Sequence, residues 1–244
     1  MKESNFTVLS NEPAARQVFR MVLRGDVSDI TRPGQFVNLR LEGLFLRRPI
    51  SVCDREGDRL TLIYKTVGRG TEQMSRLAPG TEINLLTGLG NGYDLAPAGD
   101  RLLLLGGGVG VPPLYGLAKE LRAAGKAVTA VLGFNTREEV FGEEAFRALG
   151  CDTRVTTVDG SAGIRGFVTD AMPADYSYFY TCGPMPMLRA VYRASKTGGQ
   201  FSFEERMGCG FGACMGCSIR TKNGTKRICR EGPVLTKEEI VWED

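Results

Sequence analysis

Four of the chain's seven cysteines fall within Met207–Cys229, "MGCGFGACMGCSIRTKNGTKRIC", in a sequence of 244 residues that contains no histidine. Thiols this close can form disulfides, hold zinc or hold an iron–sulfur cluster. The N-terminal stretch "MKESNFTVLSNEPAARQVF" has neither the apolar core nor the small-residue cleavage site of a secretory leader. A cytoplasmic chain with reduced thiols is therefore expected, which disfavours disulfides. Structural zinc prefers two separated short pairs of ligands, whereas Cys209, Cys214 and Cys217 come in one burst and Cys229 follows after eleven residues. A zinc-stabilised binding module without redox activity stays open as a reading of a different class.

The order C-x4-C-x2-C…C is the spacing of plant-type ferredoxins, in which four thiolates hold a 2Fe-2S cluster. Glycines between the cysteines let the backbone turn tightly and bring its N–H groups close to the sulfurs. The segment after Cys217 reads as a hairpin with a two-residue type I′ turn at Asn223-Gly224. That turn sets Lys222 opposite Thr225 and Ser218 opposite Cys229, returning the fourth thiol beside Cys217. Without histidine, Rieske ligation is excluded, and the cluster belongs at the low end of the potential range.

A one-electron carrier needs a source or sink, and the rest of the chain supplies candidates. The first 97 residues contain short apolar alternations broken by turns, "FTVLS", "QVFRMVL", "QFVNLRL", "RLTLIYKT" and "EINLLTGLG", which predict a small antiparallel β-barrel. Within it, "RRPISVCD" offers the planar donor fork of Arg48, the stiff Pro49 and the hydroxyl of Ser51, a set suited to a flavin and its pyrophosphate. Taken alone, the set equally describes a basic edge strand. From residue 98, "RLLLLGGGVGVPPLYGLAKELRAAGK" runs a buried strand into a glycine loop, and Pro112-Pro113 open a helix whose N–H groups would face a phosphate. The strands "AVTAVLGF", "TRVTTVDG" and "YSYFYTCGP", with the helix-like "EEVFGEEAFRALG", continue a βα alternation and predict a parallel sheet. Ligands gather at the carboxyl ends of such strands. Gly107, Gly108, Gly110, Asp159, Cys182, Gly183 and Pro184 all fall there.

The totals agree with a multidomain α+β chain. Its 31 basic and 28 acidic residues leave a net charge of +3 without a basic tract, so neither nucleic acid nor a membrane is an expected partner. The longest uncharged run, Leu102 to Ala118, carries five glycines and two prolines and is too short and too broken to cross a bilayer. The expected divisions are a barrel over 1–97, a nucleotide-binding α/β domain over 98–199 and a cluster domain over 200–244. Cys53 and Cys151 read as core or surface thiols, and Trp242 as a residue docked on its own domain or touching a partner.

The succession Arg48-Pro49-Ile50-Ser51, Gly70-Thr71, "GGGVGVPPL", "CGPMPML" and the four cysteines resembles ferredoxin-reductase-like flavoproteins. More narrowly, it is similar to the family of electron-transfer subunits of B-type dihydroorotate dehydrogenase. The resemblance covers nearly the whole chain, with "ERMGCGFGACMGCS" its most specific part. It implies FAD in the barrel, NAD on the second domain and the 2Fe-2S cluster at the C-terminal end. It also implies an FMN-containing catalytic subunit as partner, in a heterotetramer of two plus two serving pyrimidine (UMP) biosynthesis. Arg48, Pro49, Ile50, Ser51, Ile63, Tyr64, Lys65, Gly70 and Thr71 match the flavin segments. Cys209, Cys214, Cys217 and Cys229 match the cluster ligands, and Cys182 matches a cysteine beside the nicotinamide, where a buried structural thiol is the plain alternative. Asp159, if it reaches the adenosine ribose, would accept from a 2′-hydroxyl and repel a 2′-phosphate, favouring NAD. Since nicotinamide exchanges electron pairs and a cluster single electrons, the flavin belongs between them. A small subunit of a related sulfide dehydrogenase or ferredoxin-NADP reductase is the nearest rival, in which an aspartate can replace one cluster ligand.

Overall fold

The computed structural model describes residues 1–96 and 99–242, so the expected division at 97/98 lies outside the described residues. Six strands close the N-terminal barrel: β1 (Lys2–Ala15), β2 (Val18–Arg24), β3 (Phe36–Leu39), β4 (Arg48–Glu56), β5 (Arg59–Lys65) and, after the short helix α1 (Arg69–Ser75), β6 (Glu82–Leu89). Their order around the barrel is β1-β2-β5-β4-β3-β6, with antiparallel pairing throughout. Period-two alternation fills the interior: Leu60, Leu62 and Tyr64 from β5 meet Met21, Leu23, Val37, Leu39 and Leu85.

The central layer is a seven-stranded sheet. Its elements are β7 (Arg101–Gly107), α2 (Pro112–Ala123), β8 (Ala127–Phe134), α3 (Glu143–Ala148), β9 (Asp152–Thr157), β10 (Ile164–Arg165), β11 (Tyr178–Cys182), α4 (Met185–Ala194) and β12 (Gly199–Ser202). A two-stranded hairpin of β13 (Ser218–Thr221) and β14 (Gly224–Arg227) follows, and β15 (Val234–Thr236) then returns to the sheet. The sheet order is β10-β9-β8-β7-β11-β12-β15, all parallel except the last pair. Leu102–Leu105 of β7 are fully buried, as a central parallel strand covered on both faces requires. Helix α2 packs Leu114, Leu117 and Leu121 onto one face and turns its Gly116 toward β4, where an added methyl group would lie 3.0 Å from the Cys53 carbonyl oxygen. The ion pairs Lys119–Asp54 and Lys65–Glu139, each 3.0 Å, tie this layer to the barrel.

Three expectations are corrected. The helix over 138–150 is interrupted, because Gly142 adopts φ +82° and only Glu143–Ala148 are α-helical. The hairpin is shifted: Thr221 pairs with Gly224, Arg220 with Thr225 and Ser218 with Arg227, so the loop residues are Lys222-Asn223. A type I′ turn needs positive φ at both loop residues, and here Gly224 alone has it, at +97°. The expected cut at 199/200 falls at the start of β12, an internal strand of the central sheet, and β15 lies in that sheet too. The cysteine-bearing segment is thus a long excursion between two neighbouring strands. Among the described residues, no helix is long and apolar enough to cross a membrane.

Candidate functional site

The excursion from β12 brings the four thiols together as two pairs. Cys209 donates its N–H to Cys214 Sγ at 3.5 Å, while Ala213 and Cys214 donate theirs to Cys209 Sγ at 3.2 and 3.4 Å. Cys229 donates its N–H to Cys217 Sγ at 3.4 Å, and Ile228 N–H reaches the Cys217 carbonyl at 3.0 Å. The expected neighbourhood of Cys217 and Cys229 therefore stands, although the shifted hairpin ends before Cys229 and the turn after β14 completes the approach. Among the described residues, no three cysteine or carboxylate side chains gather around one point as a single ion would need. Two pairs are what a binuclear cluster takes, two thiolates for each iron.

The pairs differ in depth. Cys217 and Cys229 are each only 2% exposed, whereas Cys214 lies at the surface beside Phe211 and Met215. Burial opposes ionisation of Cys209, but N–H groups of Phe211, Cys214 and Ala213 outweigh it and bring the thiol down to about 6. Burial and the adjacent Cys217 push Cys229 up to about 12. Metal binding near pH 7 would displace the proton on Cys229, whereas Cys209 is already largely thiolate there. Sequence reading missed the brace of this loop: Arg227 Nη1 donates to the Gly212 carbonyl at 2.6 Å while Nε donates to Glu231 at 2.9 Å. The i,i+4 spacing of Arg227 and Glu231 was the available signal.

In the barrel, the β4–β5 ladder begins at Val52–Leu62 and runs away from the flavin motif. Arg48–Ser51 pair only with β3, and Ile63–Lys65 pair only with β2. A seam therefore opens between the two segments, with no ladder between their facing edges. Arg48 and Gly70 meet beside it, since a methyl group on Gly70 would sit 2.8 Å from the Arg48 guanidinium carbon. The Thr71 hydroxyl accepts from Val67 N–H at 2.9 Å and donates to the Gly68 carbonyl at 3.0 Å, which fixes the turn into α1. Tyr64 points inward, its hydroxyl donating to Asn11 Oδ1 at 2.9 Å, and burial pushes the phenol up to about 12. Its main chain, not its ring, borders the seam. The Lys65 ammonium is held across the domain boundary by Glu139.

The dinucleotide candidates collect where the sheet order reverses. From β7 the chain proceeds through β8 to β10 on one side and through β11 to β12 on the other, so the crevice lies at the carboxyl ends of β7 and β11. There Gly110 abuts Cys182 and Gly183: a methyl group on Gly110 would lie 2.5 Å from the Cys182 carbonyl carbon and 2.7 Å from Gly183 Cα. Gly107 faces Pro184 and the thioether of Met187, a side chain sequence reading did not single out. Gly108, at φ +53°, has open space before it. Desolvation, partly eased by a Ser202 hydrogen bond, pushes the Cys182 thiol up to about 12, so it is neutral near pH 7. Asp159 stands two strands away, roughly 10 Å from β7. Its carboxylate accepts from Ser161 Oγ at 2.6 Å and N–H at 2.9 Å, which hold it below the usual carboxylate range. Arg137 in turn donates to Ser161 from N–H and Nε.

A flavin-type barrel, a parallel sheet with a glycine crevice and a cysteine loop on one chain define the ferredoxin-reductase-like architecture. The sequence profile of the iron–sulfur cluster binding domain of dihydroorotate dehydrogenase B matches residues 204–241. The dihydroorotate dehydrogenase B (NAD(+)) electron transfer subunit of Geobacillus sp. (strain WCH70) is 43% identical over 99% of each chain. That of Shouchella clausii (strain KSM-K16) is 41% identical over 98% of each. A solved NADH-dependent reduced ferredoxin-NADP oxidoreductase superposes with a TM-score of 0.88, at 30% identity, over 97% of this chain and 90% of that one. The chain belongs to the family of dihydroorotate dehydrogenase B electron transfer subunits.

Proposed function

We propose that this chain conducts electrons between an FMN-containing subunit that oxidises dihydroorotate and NAD+, working in the cytoplasm and in pyrimidine synthesis, in a two-plus-two assembly. The observation that carries it is the presence on one chain of paired thiols, an open barrel seam and a glycine crevice at the sheet's reversal. When bound, the cluster passes electrons singly, the flavin collects two, and NAD+ leaves with a hydride.

The chain's own residues hold and align. Cys209 with Cys214 and Cys217 with Cys229 would hold one iron each. Arg48 and the main chain of Pro49–Ser51 and Ile63–Lys65 would grip the flavin along the seam, with Gly70 and Thr71 closing one end. Gly107, Gly108, Gly110, Gly183 and Pro184 would let the protein main chain come within contact distance of the dinucleotide phosphates. Asp159, fixed by Ser161, reads the adenosine ribose and makes the chain NAD-linked. Cys182 acts as a small neutral contact beside the nicotinamide, because a thiol titrating near 12 neither gives nor takes a proton at neutral pH. Dihydroorotate itself meets no residue of this chain.

The decisive experiment is purification under argon with quantitation of FAD, iron and sulfide, and identification of any co-purifying chain. One FAD, two irons and an FMN subunit active on dihydroorotate are expected. A colourless preparation containing a single zinc refutes the reading, and a partner bearing further iron–sulfur clusters moves the chain to the sulfide dehydrogenase class.

A further inference from the structure

Asn38 belongs to the barrel, yet it is built into the cysteine loop. It lies in β3, whose alternate residues Val37 and Leu39 fill the barrel interior, so Asn38 points outward. Outward residues of a strand normally meet water, but Asn38 is 1% exposed. The loop covers it. Its Nδ2 donates to the Cys209 carbonyl at 3.4 Å, and it occupies the space a side chain on Gly210 would take, a methyl there falling 3.2 Å from Asn38 Cγ. Gly210 holds φ +77°, so this close approach depends on glycine twice over. The Asn38 Oδ1 is buried without a hydrogen-bond partner, a cost that cores seldom tolerate without function.

On its other side Asn38 is registered directly opposite Pro49, and Phe36 opposite Ser51. Residues directly opposite in a sheet share a face. Pro49 and Ser51 therefore share the outward face on which Asn38 meets the loop. The Asn38 carbonyl also accepts from Arg47 Nη1 at 3.3 Å. One buried amide thus touches a thiol-bearing residue through its side chain and the flavin strand through its backbone.

We propose that Asn38 is a positioning residue that sets the Cys209 side of the cluster against the flavin seam and so governs passage of electrons between them. This rests on the cluster and flavin placement proposed above. Each passage would remove one electron from the reduced cluster and deliver one to the flavin; two passages, with a proton taken up from water, would supply the hydride that converts NAD+ to NADH. Asn38 carries no charge in that exchange. It holds distance and orientation, on which electron passage between two centres depends.

The test uses the complete two-subunit holoenzyme with Asn38→Leu, which keeps the branched outline and removes the donor, and Asn38→Asp, which keeps the shape. FAD, iron and sulfide are counted first. A wild-type complex lacking either group sinks the functional reading itself, irrespective of Asn38. With both groups present, dihydroorotate-driven flavin reduction through the cluster is followed by stopped flow and the cluster by EPR. NADH-driven flavin reduction, which bypasses the cluster, serves as reference. For Asn38→Leu, passage through the cluster slows at least about tenfold relative to the NADH reference and the EPR g values shift. Asn38→Asp, which sets acceptor oxygens where the amide offered its donor to the Cys209 carbonyl, is impaired in the same two readouts. Fully loaded variants with wild-type EPR and passage rates overturn the proposal. Loss of iron from both variants also overturns it, by making Asn38 a support of the cluster rather than its aligner.

Discussion

Replacing Gly110 by alanine tests the crevice most directly. The added methyl would lie 2.5 Å from the Cys182 carbonyl carbon and 2.7 Å from Gly183 Cα, both main-chain atoms at the end of an internal strand. Neither side yields easily, since β11 is paired on both edges and Pro112-Pro113 stiffen the start of α2 just beyond the glycine. Overpacking of this kind costs typically 1–3 kcal/mol, and main chain on both sides puts Gly110→Ala near the upper end, about 3 kcal/mol. At ~2–4 °C per kcal/mol for a unit that runs from β7 to β15, the central domain should melt roughly 6–12 °C lower. Gly108→Ala is the control. It meets no atom within 4 Å and pays only for φ +53°, about 1 kcal/mol or ~2–4 °C. Calorimetry of the full chain, with NADH titrated against each variant, reads both effects. Gly110→Ala melting at or above Gly108→Ala, or binding NADH as tightly as wild type, refutes the packing of the glycine loop against β11 as the basis of the crevice.

Serine at any of Cys209, Cys214, Cys217 or Cys229 should lower bound iron well below two per chain while leaving FAD content intact, as measured by colorimetric iron assay and flavin absorbance. Replacing Asp159 with serine removes the negative charge proposed to face the ribose and should reduce the preference for NADH over NADPH at least about tenfold in kcat/KM; an unchanged ratio removes Asp159 from the specificity site. Glu231 is held down to about 2, chiefly by its hydrogen bond with the Arg227 guanidinium. Its folded-state value lies below the unfolded one, so its contribution to the loop is complete above the ordinary carboxylate range and disappears as pH falls toward 2. Glu231→Gln should abolish that acid-dependent component of loop protection in hydrogen exchange at Gly212 and its neighbours, and a wild-type profile would contradict it.

The chemistry was more legible than the joinery. Cysteine spacing marked the cluster loop because each iron needs fixed ligands, and glycine-rich strand ends marked the crevice because close main-chain approach excludes side chains. Asn223-Gly224 did announce a hairpin, but the same dipeptide serves two registers, and only the backbone shows Gly224 closing the loop after a two-residue Lys222-Asn223 turn. Asn38 was invisible for a related reason. In "QFVNLRL" it reads as the polar, solvent-facing member of an alternation, and a loop more than 170 residues later covers it. Tyr64 shows the converse: its segment matched the flavin pattern, while alternation along β5 sends the ring into the barrel. Strand β15 is three residues long and carries no periodicity by which to place it in the sheet.

That short strand has a consequence of its own. Because β12 and β15 are antiparallel neighbours, residues 203–233 form the loop of one oversized hairpin whose stem belongs to the nucleotide sheet. The entropic cost of closing such a loop of ~30 residues rises only as the logarithm of its length. Lengthening the excursion therefore asks little more of the stem, whereas exchanging it for another metal-bearing insert asks for new cover over Asn38 and new partners for the core that Cys217, Ile228 and Cys229 now complete.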